Sequence, residues 1–134
     1  MFRIEGNALG LQSALFLFQK NACRFTLSSA QTEYPLTCGL EAWQRGETAL
    51  PHTPPRLTSG GTPKPGTKHK YAASGTWKDD STFEMMLRYY ETPHHDSVTC
   101  QFEGDQVKIS FQSSIAKMNR AKDSRPVLIG QMMA

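Results

Sequence analysis

Two short stretches constrain the fold of this chain more than any other feature: Val98-Thr99-Cys100-Gln101-Phe102 and Val107-Lys108-Ile109-Ser110-Phe111, with Gly104-Asp105 between them. Each alternates apolar and polar residues with a period of two, so each reads as a strand with one face turned to a core. A Gly-first pair between such runs suits a two-residue hairpin turn. The same period recurs along the chain, and stretches of amphipathic helical spacing are hard to find. Leu15 to Phe18 and Arg24 to Ser28 form a second hairpin pattern around Gln19-Lys20-Asn21, with the segment 12–18 expected to be covered on both faces. Tyr34 to Gly39 and Glu41 to Gln44 continue it, Pro35 placing the former near an edge or a strand start. Tyr71 to Trp77 and Thr82 to Tyr90 flank a turn at Lys78-Asp79-Asp80-Ser81, and Pro126 to Gly130 repeats the pattern weakly. In the run 82–90 even the second face carries Met86 and Tyr90, which argues for a central strand.

About eight short strands with short connections predict an all-β fold, an antiparallel up-and-down meander closing into a β-barrel, since closure buries one face of every strand and removes the edges. The 134 residues fit one such domain, spanning 1–134, and are 38% apolar and 20% charged. Residues 49–70 interrupt the pattern with five prolines and three glycines and read as a long loop. From Glu47 to Asp79 the chain carries Arg56, Lys64, Lys68, Lys70 and Lys78 without an acid, read as solvated loop charge. The formal net charge of +3 points to no nucleic-acid partner. The longest apolar run, Ala14 to Phe18, is too short to span a bilayer. The N-terminus has no signal-peptide pattern. Cys23, Cys38 and Cys100 lack the paired spacing of a zinc site and read as buried small hydrophobes.

Chemistry-bearing patterns are sparse. Ser114-Ile115-Ala116-Lys117 matches S-x-x-K formally, but it follows a strand and no Tyr-x-Asn or Ser-x-Asn partner motif occurs. His94-His95-Asp96 is the densest group of potential metal ligands; without a second ligand pair it reads as a turn between strands, with Asp96 bonding nearby amides. Neither a metal nor a cofactor is expected. Trp43, Trp77, Arg88, Tyr89, Tyr90 and Glu91 could line a pocket at the barrel rim, with His94 and His95 beside it, although aromatics at strand spacing also serve as core.

Several of these residues carry a family resemblance. Cys38-Gly39, Trp43, Gly46-Glu47-Thr48, Leu50-Pro51 and Ala72 to Trp77, then Thr82 to Met85, Arg88 to Asp96, Val98-Thr99-Cys100 and Arg125 to Leu128, resemble the small β-domain that follows the catalytic domain of bacterial serine hydrolases related to class C β-lactamases. The resemblance implies a lipocalin-like shape, a non-catalytic accessory role beside a serine hydrolase catalytic domain, a periplasmic or secreted setting and an exposed apolar patch on the isolated domain. It brings no active-site residue with it. The alternative expectation is a stand-alone barrel holding a small apolar ligand in its interior.

Overall fold

A computed structural model describes residues 1–7, 9–49, 69–90, 94–114, 125 and 127–133. The expected loop at 49–70 therefore lies almost wholly outside the described residues, as do Glu91, Lys117 and Pro126. The chain is all-β. Its strands are β1 (Phe2–Ile4), β2 (Leu11–Phe18), β3 (Ala22–Ser29), β4 (Glu33–Leu40), β5 (Gln44–Thr48), β6 (His69–Trp77), β7 (Thr82–Arg88), β8 (His95–Glu103), β9 (Gln106–Ser113) and β10 (Leu128–Met132). They lie in the order β4-β3-β2-β1-β10-β9-β8-β7-β6-β5, and a further pairing of β4 with β6 closes nine of them into a barrel that leaves β5 as an extra strand.

Most of the alternating runs become strands in the expected register; Glu41 to Gln44, read as a further strand, is instead the connection from β4 into β5, which starts at Gln44. Across the Gly104-Asp105 turn, Val98 faces Phe111, Cys100 faces Ile109 and Phe102 faces Val107. Gly104 has φ 56°, which a residue with a Cβ adopts reluctantly and which this tight turn requires. The β6–β7 turn is held by Asp79, whose carboxylate accepts from the Ser81 amide at 2.9 Å.

Three further features depart from the expectations. The three-residue β1 is too short for periodicity to reveal, yet it bridges β10 and β2, with Phe2 opposite both Met132 and Ala14. The segment 12–18 is covered on one face only: Ala14 is buried, whereas Leu17 on the outer face is 46% exposed. A barrel gives every strand one outer face, and nothing among the described residues lies over that of β2. The closing pair, finally, is parallel, with Gly39 opposite Ser74 and Leu40 opposite Gly75.

The seam at this closure explains two local choices. On β6, residues 69–73 pair with β5, and β4 reaches it only at Ser74. Among the described residues, the edge of β4 away from β3 and before Gly39 has no strand paired with it, and Pro35 sits there without removing a ladder bond. Two residues on, the Thr37 amide donates to the Tyr71 hydroxyl at 3.0 Å, so a side chain completes what the strands leave open. The ring fits because residue 46 is glycine: a Cβ there would lie 2.6 Å from the Tyr71 hydroxyl oxygen. Burial pushes the Tyr71 phenol up from its ordinary pKa, keeping it neutral. Tyr71→Phe should lower the free energy of unfolding by about 1–2 kcal/mol by stranding the Thr37 amide. Urea denaturation measures this, and an unchanged midpoint would mean that water reaches that amide.

The inward side chains fill the barrel. Phe25, Leu27, Phe83, Val107, Ile109 and Leu128 are fully buried. Cys23, Cys38 and Cys100 are buried free thiols among them. Cys23 and Cys38 sit opposite each other on β3 and β4. Contact with Cys38 and burial push the Cys23 thiol up, and burial does the same to Cys100. Small apolar packing, as expected of them, is what these residues provide.

Candidate functional site

Strand direction gives the barrel two chemically different ends. The turns at Gln19–Asn21, Lys78–Ser81 and Gly104–Asp105 gather at one end. There the last inward positions of β2, β6 and β8 are Phe18, Trp77 and Phe102, all aromatic. Phe18 lies 5.3 Å from Trp77 between ring centroids, and Trp77 lies 5.9 Å from Phe102. Phe83 supports both exposed rings from below, at 5.2 Å from Phe18 and 5.1 Å from Trp77. Phe16, Phe102 and Phe2 continue the cluster inward. The outer rings are not covered: Phe18 is 42% and Trp77 45% exposed. Met132, whose amide donates to the Asp105 carbonyl, adds apolar surface at the same end.

The opposite end is polar inside. Asp96, the second residue of β8, points inward and is buried. Its carboxylate receives both guanidinium nitrogens of Arg125, at 2.8 and 3.0 Å, and the Tyr89 hydroxyl at 2.9 Å. The guanidinium carbon lies 4.9 Å from the Phe111 ring centroid, so the cation is flanked by a π face as well as a carboxylate. Beside this group, His94 Nδ1 and Ser114 Oγ are 3.2 Å apart, and the His95 amide donates to the same oxygen at 3.2 Å.

This placement corrects the reading of His94-His95-Asp96 as a turn. β8 begins at His95, and a strand sends neighbours to opposite faces: Asp96 goes in to Arg125 while His95 lies on the outer face. Asp96 bonds to a distant arginine and a tyrosine rather than to nearby amides. Among the described residues no group of three His, Cys, Asp or Glu side chains is placed to hold a metal ion. The Ser114–His94 contact brings together a hydroxyl and a potential base, while the nearby Asp96 carboxylate is held by Arg125 and Tyr89. What this end provides is a fixed, buried hydrogen-bonded group.

The residues proposed from sequence for one rim do not converge. Trp77 stands at the aromatic end. Trp43, Arg88 and Tyr90 lie on the outer wall over β5 to β7, where the Arg88 guanidinium carbon lies over the Trp43 ring, 5.7 Å from its centroid. His94 belongs to the polar end, and His95 follows on the outer face beside it. Two residues of consequence were not singled out as site residues. Arg125 gave no signal, since its partner is 29 positions away. Phe18 was read only as part of a strand.

Set against protein-family models and against curated protein sequences, the chain matches none. No helix of the described residues is long and apolar enough to cross a membrane.

Proposed function

We propose that this barrel is a non-catalytic accessory domain that docks through its aromatic end onto a partner domain, the partner implied by its resemblance being a serine hydrolase catalytic domain of the class C β-lactamase-related type. The observation that carries this reading is the half-exposed pair Phe18 and Trp77, both packed against the buried Phe83 ring at one end of the barrel. Side chains of this size cluster in the open on a domain that uses the surface for contact, and aromatic residues anchored on a packed floor are the kind that dominate interface energies. The accessory reading calls for such a one-sided apolar surface. Interior ligand binding draws less support, because Phe25, Leu27, Phe83 and Met85 are all buried within a single packed core.

The test is titration of the barrel with a purified serine hydrolase domain of that type, followed by sedimentation velocity. Binding is expected, and Trp77→Glu should weaken it by roughly a hundredfold or more, as loss of a central aromatic anchor does. No complex with the wild-type barrel, or one indifferent to Trp77→Glu, would overturn the proposal.

A further inference from the structure

The outer wall formed by β5, β6, β7 and β8 carries a second surface, unrelated to the aromatic end. Its register places Arg45 opposite Ala72, Ala72 opposite Arg88, and Arg88 opposite His95, so these four residues form one lateral row on one face of the sheet. Ala72 keeps the middle of the row low. Trp43, just before β5, and Tyr90, just after β7, flank the row, and both rings are about half exposed, at 53% and 50%. Each arginine lies over a ring: Arg88 over Trp43 at 5.7 Å and Arg45 over Tyr90 at 5.6 Å from guanidinium carbon to centroid. Two cation–π pairs therefore stand side by side across the same wall.

Charge on this wall is mixed but mostly positive around the rings: Arg45, Lys70 and Arg88 share the outer face with Glu47 and Glu84. The ion pairs among the described residues are Lys78 with Glu84 and Arg125 with Asp96, so neither Arg45 nor Arg88 is neutralised by a carboxylate among them. Glu47 is the next outward residue of β5 after Arg45 and faces Lys70, and Glu84 pairs with Lys78. A guanidinium held near a ring as a cation–π partner keeps hydrogen-bond donors for a phosphate, while the half-exposed rings offer surface for stacking.

From this arrangement we infer that the β5–β8 wall binds single-stranded nucleic acid, its bases stacking on Trp43 and Tyr90 and its phosphates meeting Arg45 and Arg88. A single strand presents anionic groups and flat π faces in alternation, which is what the wall complements. A duplex keeps its bases stacked on one another and presents only phosphate here. The whole-chain charge of +3 conceals this surface because the positive groups are concentrated by pairing strands that lie far apart in sequence. The inference runs against the composition-based expectation of no nucleic-acid partner, and it does not depend on the docking role of the aromatic end.

Fluorescence anisotropy of a short labelled oligothymidylate, titrated with the full chain, tests it. A Trp77→Phe background leaves Trp43 as the one tryptophan, so its emission reports stacking directly. Saturable binding with quenching is expected, weakening about tenfold between about 50 and about 200 mM salt if two or three phosphates are engaged. Trp43→Ala and Arg88→Ala should each weaken binding about tenfold with an unchanged thermal midpoint. Arg88→Lys should recover only part of the loss, since lysine keeps the charge without the planar stack. Absence of binding would overturn the inference. So would binding without quenching, or equal affinity for inorganic polyphosphate or for a duplex, since either would reduce the wall to a general polyanion surface.

Discussion

Replacing Arg125 by methionine is expected to lower the stability of the barrel by about 3–5 kcal/mol, because Asp96 is then left as a buried carboxylate without its cation. Asp96 is 1% exposed and takes two guanidinium hydrogen bonds in addition to the Tyr89 hydroxyl, so no solvent route compensates the loss. The cost belongs to the stranded charge rather than to the pair itself. The double variant Arg125→Met/Asp96→Asn should therefore be more stable than Arg125→Met alone, since asparagine removes the charge and still accepts from Tyr89. Urea denaturation of the single and double variants gives the coupling. A loss below about 1 kcal/mol for Arg125→Met would mean that the carboxylate is hydrated once the arginine is gone.

Phe83→Ala is the second substitution with a large effect. Its ring is fully buried, supports Trp77 and Phe18 from beneath, and lies so close to Gly75 that a Cβ there would approach Phe83 Cζ to 2.5 Å. Removing a buried phenyl ring of this kind costs about 3–5 kcal/mol, and the cavity cannot be refilled without moving both exposed rings. In a Trp43→Phe background, the emission of Trp77 should shift as its floor is lost, and partner binding through the aromatic end should fall with it. Stability lost without any change in Trp77 emission would mean that the exposed rings hold their position independently of Phe83, and that the aromatic end is less rigid than its packing implies.

These two residues also divide what the sequence discloses from what it conceals. Phe83 belongs to the alternation Phe83, Met85, Leu87, Tyr89, and an inward position on a strand follows directly from that period. Arg125 belongs to no pattern. Its role depends on a carboxylate 29 residues earlier that is itself inward-facing only because β8 starts at His95 rather than after a turn. Once β8 reaches back to His95, the alternation that turns Val98, Cys100 and Phe102 inward also turns Asp96 inward, but nothing in the sequence pairs it with Arg125.

The aromatic-arginine wall shows the same limit. Trp43, Arg88 and Tyr90 stand out in the sequence as candidate pocket residues at the barrel rim, but Arg45 joins them on the outer wall only because β5 lies against β6 and β6 against β7. The rim expected to unite Trp43, Trp77, Arg88, Tyr90, His94 and His95 is instead distributed over one end, the outer wall and the other end, since proximity in sequence says nothing of position around or along a barrel.

Local periodicity and turn chemistry determined, from the sequence alone, that the chain is all-β, that most of its strands lie where they do, and that the hairpin at Gly104-Asp105 has its register, because these depend on neighbours within a few residues. The tertiary structure alone decided the closure: the three-residue β1, the parallel contact of β4 with β6, and the distribution of charge and rings between two ends and one wall. Those depend on pairings between distant segments, whose free energy comes from burying the shared interior and not from any local preference.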